Sequence, residues 1–124
     1  MRPALLLLVL ASACHGDGAD DFAERSATVK ARTLPAGATL GRVISERRRN
    51  GAASSWSFET TMTWAEYARW VRSVLGVDYT SVRTDDATLD FTQQALGDEY
   101  DLQLIRQPGG PPLRIQATFT GMPD

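Results

Sequence analysis

Three segments in the last third of the chain alternate apolar and polar residues with a period of two, and nothing else in the sequence restricts the fold as much. In "TLDFTQ" Leu89 and Phe91 point one way; in "EYDLQLIRQ" Tyr100, Leu102 and Leu104 do; in "LRIQATFTG" Leu113, Ile115, Ala117 and Phe119 do. Asp90, Thr92, Asp101, Gln103, Arg114, Gln116, Thr118 and Thr120 fall on the opposite faces. Successive side chains of a strand point to opposite sides, so each segment has one dry face and one wet face. Such strands need a cover on one side only, and a layer of helix on an antiparallel sheet supplies it. The links "TDDA" (84–87), "ALGD" (95–98) and "QPGGPP" (107–112) are short and turn-rich, as hairpin connections are.

The cover is "MTWAEYARWVRSVLG", residues 62–76. Thr63 is placed to accept from the backbone N–H of Glu66, and Glu66 to accept from that of Thr63, which makes a capping box. Met62 and Tyr67 stand where a hydrophobic staple wants them, and Gly76 stands where a left-handed C-cap residue is wanted. On a helical wheel Trp64, Tyr67, Ala68, Val71, Val74 and Leu75 share one side, with Trp70 on its flank and Glu66, Arg69, Arg72 and Ser73 opposite. A helix over 64–75 follows. "VDYTSVR" (77–83) adds a strand directly after it, and "SSWSFETT" adds another, with Trp56, Phe58 and Thr60 facing one way. "TLGRVISERRR" (39–49) fits either a short helix or the first arm of a hairpin turning at Asn50-Gly51, and the hairpin is preferred. The expected architecture is α+β, with one amphipathic helix (about 64–75) on one face of an antiparallel sheet of four to five strands, within a domain spanning 39–124.

The N-terminus is of another kind. Arg2 precedes a run of roughly ten apolar or small residues, about half the length that spans a bilayer, and Ala11-Ser12-Ala13 fits the A-x-A site of an exported precursor. The same residues with Cys14, the only cysteine, resemble the lipobox of bacterial lipoprotein precursors, with Ala11 where leucine is usual. Both readings assign residues 1–13 to a signal peptide and make Cys14 the new N-terminus. The lipoprotein resemblance implies a diacylglycerol thioether at Cys14 and membrane attachment through that lipid. It also implies an envelope location in the outer membrane facing the periplasm, since His15 stands where an aspartate would retain the protein in the inner membrane. Residues 14–38 carry only Phe22 and Val29 as large apolar residues among Gly, Ala, Asp and charge, and are expected to form the lipidated N-terminus and a flexible tether.

Cleavage after residue 13 of 124 leaves 111 residues, enough for one small domain. Loss of Arg2 leaves 12 basic residues against 15 acidic ones, and that balance offers no general attraction to nucleic acid. His15 is the only histidine and would lie beside the lipid, which removes histidine triads and histidine-based metal sites. No metal, cofactor or catalytic residue is assigned. Asp85-Asp86 and Glu59 are the carboxylates an enzyme would use, but paired Asp between strands reads first as a turn capping its own backbone. The candidate binding residues are Trp70, half-exposed at the helix flank, and Arg47, Arg48 and Arg49, which could clamp phosphate or carboxylate. The wet sheet face, lined by Thr, Gln, Asp and Arg, is the other candidate surface. The sequence therefore points to a lipid-anchored, non-catalytic envelope protein that binds another envelope protein or a cell-wall component. An envelope inhibitor that presents the 107–112 loop to a hydrolase such as lysozyme is the alternative, and a carboxylate-dependent hydrolase stands third.

Overall fold

The computed structural model describes residues 18–48, 51–95 and 97–122. The expected signal peptide, Cys14 and His15 lie outside those residues, as do Arg49 and the side chains of Arg47 and Arg48. The chain runs α1 (Gly18–Thr33), β1 (Thr39–Arg48), β2 (Gly51–Thr60), α2 (Trp64–Leu75), β3 (Thr80–Thr84), β4 (Thr88–Ala95), β5 (Asp98–Arg106) and β6 (Leu113–Met122). All six strands form one antiparallel sheet in the order β1-β2-β6-β5-β4-β3. The α+β class, the covering helix and the antiparallel sheet are as the sequence predicts. The expected count of one helix and four to five strands is corrected to two helices and six strands among the described residues.

The alternating segments fall in register. Phe58 pairs with Ile115, Phe91 with Leu102, and Leu104 with Ala117. These side chains therefore line one face as a continuous layer, with Trp56, Phe58, Leu89, Phe91, Leu102, Leu104, Ile115 and Phe119 each no more than 2% exposed. Fully burying a side chain of this size is worth about 1.5–3 kcal/mol, so this layer dominates stability. Tyr67, Val71 and Leu75 of α2 close onto it. The β1–β2 hairpin forms as preferred, with Arg48 paired to Gly51 across the turn.

The capping box of α2 forms in both directions: the Glu66 N–H donates to Thr63 Oγ1 at 3.1 Å and the Thr63 N–H to Glu66 Oε1 at 2.9 Å. Two details differ from expectation. Gly76 is right-handed, with φ −63°, and α2 is instead closed by the Asp78 and Tyr79 N–H groups, both donating to the Leu75 carbonyl. Those bonds hold 77–79 in a turn, so β3 begins at Thr80 rather than Val77.

The larger difference is α1, which occupies residues 18–33 where a flexible tether is expected. Phe22, Ser26, Val29 and Thr33 follow the i, i+4, i+7, i+11 spacing of one helix face, and all four are buried. Phe22 stacks on Phe119 with centroids 5.3 Å apart and closes on Gly121, where a Cβ would stand 2.8 Å from its ring. The C-terminus of α1 is held from both layers: Trp56 Nε1 donates to Thr33 Oγ1 at 3.1 Å, and Tyr67 Oη donates to the Thr33 carbonyl at 2.8 Å. No helix among the described residues is long and apolar enough to cross a membrane.

Candidate functional site

With both helices on one side, the other face of the sheet stays open, and its residues are placed by strand register alone. Asp90 of β4 stands opposite Gln103 of β5, which stands opposite Thr118 of β6; one row along, Thr92, Asp101 and Thr120 are aligned in the same way. Asp90 and Asp101 are therefore diagonal neighbours on adjacent strands, a placement that leaves side chains within reach of one another. A register shift in β3 between Ser81 and Arg83 carries Val82 to the rim. The result is an open hollow of about 380 Å³ lined by Val82, Asp90, Asp101, Gln103, Thr118 and Thr120. None of the five polar side chains makes a side-chain hydrogen bond among the described residues. Two carboxylates, an amide and two hydroxyls form a floor richer in acceptors than donors, suited to a ligand that donates hydrogen bonds or carries a cation. At the far end of the same face Arg114 Nε pairs with Glu59 Oε2 at 3.0 Å.

Two of the three carboxylates singled out for chemistry, Asp85 and Glu59, are otherwise engaged. Asp85 Oδ1 accepts the N–H groups of Ala87 and Thr88 at 2.9 and 2.8 Å, and Oδ2 accepts from Arg83 Nε at 2.8 Å. Those backbone bonds, and then the Arg83 charge, hold its carboxyl below the ordinary range. Asp85 is thus the cap of the β3–β4 turn, which also receives Trp64 Nε1 on its carbonyl at 2.9 Å. Asp86 is exposed beside it, and Glu59 is taken by Arg114. Among the described residues no three metal-ligating side chains of the His, Cys, Asp and Glu set come together.

Trp70 is half-buried in the helical layer, its ring 5.9 Å from that of Tyr67, and lies across the sheet from the open hollow. Arg47 and Arg48 end β1 at the β1–β2 hairpin, paired to Ala52 and Gly51, and Arg49 lies outside the described residues. The sequence-predicted candidates are therefore spread over three regions, and only the wet-face residues of β4, β5 and β6 converge.

One polar constellation is not foreseen at all. Arg25 of α1 donates through Nη1 to Gln93 Oε1 at 2.9 Å and through Nε to Asp21 at 3.2 Å, with its guanidinium 4.5 Å above the Tyr100 ring. Tyr100 Oη donates to Asp21 Oδ2 at 2.9 Å. Burial, reinforced by that carboxylate, pushes the Tyr100 phenol up to about 12. Two turns along, Arg32 grips Asp78 at 3.0 Å and the Val74 carbonyl at 2.6 Å. These contacts fasten α1 to β4, β5 and the end of α2. Their partners lie 42 to 79 residues away in sequence, so only the spacing of arginines along α1 hinted at them.

No family model matches the chain, and no curated protein and no solved structure matches it either.

Proposed function

We propose that this chain is a lipid-anchored, exported envelope protein, attached through Cys14, whose domain holds a polar envelope component on its open sheet face without catalysing a reaction. The observation that carries the binding reading is the hollow over β4, β5 and β6, where Asp90, Asp101, Gln103, Thr118 and Thr120 present polar groups that the chain itself does not use. An interior role would have paired them. The acceptor-rich floor favours a partner that offers amines and hydroxyls, as cell-wall glycopeptides do. The anchor reading rests on the lipobox-like Ala11-Ser12-Ala13-Cys14.

Two experiments test the two halves. Intact mass of protein from membrane and soluble fractions should show an acylated species beginning at Cys14 in the membrane, lost in Cys14→Ser; a soluble, unacylated wild type refutes the anchor. Cosedimentation of the full chain with purified cell wall should fall about tenfold in Asp90→Asn/Asp101→Asn, since two charge-assisted hydrogen bonds are weakened. Trp70→Ala should leave it unchanged. The reverse pattern would move the site to the helical face.

A further inference from the structure

Because α1 begins at Gly18 and is packed onto the sheet, only four residue steps separate the helix from Cys14. An extended chain gains at most about 3.6 Å per residue, so those steps reach at most about 14 Å. A lipid on Cys14 therefore keeps the start of α1 within that distance of the leaflet, and a surface next to it faces the lipid. Among the described residues the large apolar side chains left exposed are Leu40, Val43, Ile44, Val77 and Val82, and three of those five belong to β1. Val43 and Ser45 of β1 and Phe22, Ala23, Ala27 and Lys30 of α1 line a groove of about 280 Å³ between strand and helix. Ala23 and Ala27 are themselves exposed. Phe22 and Ala23 belong to the second turn of α1, so the groove extends to the end of the helix nearest Cys14.

We propose that the α1–β1 side of the domain is a membrane-contact surface: Leu40, Val43 and Ile44 enter the headgroup layer of the leaflet that holds the Cys14 lipid, and Lys30 and Arg42 meet its phosphates. The inference rests on the anchor reading and adds the side of the domain that the anchor brings down. Apolar side chains flanked by cations suit an interfacial position, since the apolar area enters the acyl boundary while the charges stay among headgroups. Arg42 is exposed and Lys30 half-buried, and β1 runs on into Arg47 and Arg48, against Glu46 as the one acid lining the groove. The opposite edge has the other sign: β3 leads into Asp85 and Asp86, and its Arg83 is paired with Asp85. An anionic leaflet attracts the first edge more than the second. Successive side chains of a strand point to opposite faces, so Val43 and Ile44 both reach lipid only if the sheet stands on its β1 edge. In that posture the hollow over β4, β5 and β6 stays clear of the bilayer, and polar headgroups cover a ten-residue edge that is otherwise open to unwanted pairing.

The test uses the full chain, expressed in a bacterium and purified with its lipid, in vesicles of phosphatidylethanolamine and phosphatidylglycerol with a nitroxide on a fraction of the headgroups. Acylation occupies the only native thiol, so Val43→Cys and Val82→Cys each supply one site for a fluorescent label. The two sites are exposed and lie on opposite edges, five strand spacings or about 24 Å apart. The label at residue 43 should lose most of its emission to the nitroxide, and the label at residue 82 should keep it. Lys30→Glu/Arg42→Glu should restore the emission at residue 43, with the ratio of docked to free domain falling about tenfold. Intact mass of the same samples separates the anchor from the surface. An unacylated chain refutes the anchor, and this surface with it. An acylated chain quenched equally at the two positions, or indifferent to the charge reversals, overturns the membrane-contact surface alone.

Discussion

Thr33 shows how much a single hydroxyl can organise. It is fully buried, it takes the indole N–H of Trp56 on its own oxygen and the phenol of Tyr67 on its carbonyl, and so it is where α1, the sheet and α2 meet. In Thr33→Val the shape is kept and the acceptor is lost, leaving the Trp56 N–H buried without a partner. Such a group costs about 1–3 kcal/mol. Urea denaturation should show that loss as a lower midpoint with unchanged slope, and the emission of the Trp56 indole should move with it. Thr33→Ser, which retains the hydroxyl and gives up a methyl, should recover most of the difference. If Val and Ser behave alike, the hydrogen bond contributes nothing and packing alone holds the junction.

Among the elements, α1 is the one that matters most for how the molecule is read. Gly121 is the contact that admits it, since a Cβ there would stand 2.8 Å from Phe22 and 3.1 Å from Tyr100. Gly121→Ala should therefore destabilise by about 1–3 kcal/mol through overpacking. Phe22→Ala should cost about 3–5 kcal/mol by emptying the same space. The double variant should cost less than the two changes summed, because the new methyl enters the vacated volume; strict additivity in denaturation midpoints would show that α1 does not rest on Gly121. The same helix marks where sequence legibility stops. α2 is readable because its buried face is built from Trp64, Tyr67, Val71 and Leu75 and because Thr63 and Glu66 cap it locally. The buried stripe of α1 is half hydroxyl, with Ser26 and Thr33 alternating with Phe22 and Val29, so a hydrophobic pattern does not reveal it. What holds α1 down is Arg25 reaching Gln93 and Arg32 reaching Asp78, and no local rule pairs residues that far apart. The wet face was legible residue by residue in the alternation of β4, β5 and β6; the adjacency of Asp90 and Asp101 was not, because it depends on strand register.

For the whole molecule, the strongest shared consequence of the fold is its response to alkali. The chain has three tyrosines, and the structure buries all of them: Tyr67 fully between the helices and the sheet, Tyr79 at the exit of α2, and Tyr100 under Arg25. Burial disfavours phenolate, which pushes Tyr79 and Tyr100 up to about 12 and Tyr67 further still. An unfolded tyrosine titrates near 10. Below that value both states hold their protons and these groups leave stability independent of pH. As pH rises past about 10 the unfolded chain releases protons that the folded chain keeps, so stability falls progressively up to and beyond the folded values. Absorbance at 295 nm should therefore show no phenolate titration near 10 while the far-ultraviolet circular dichroism is native, and the phenolate band should appear together with loss of structure. Tyr100→Phe should delay that transition through its missing proton release, and should lower neutral-pH stability through the lost bond to Asp21. A phenolate signal of one third amplitude near pH 10 in the fully folded protein, lost in Tyr100→Phe, would place that ring in water, and with it would fall the docking of α1 over β5.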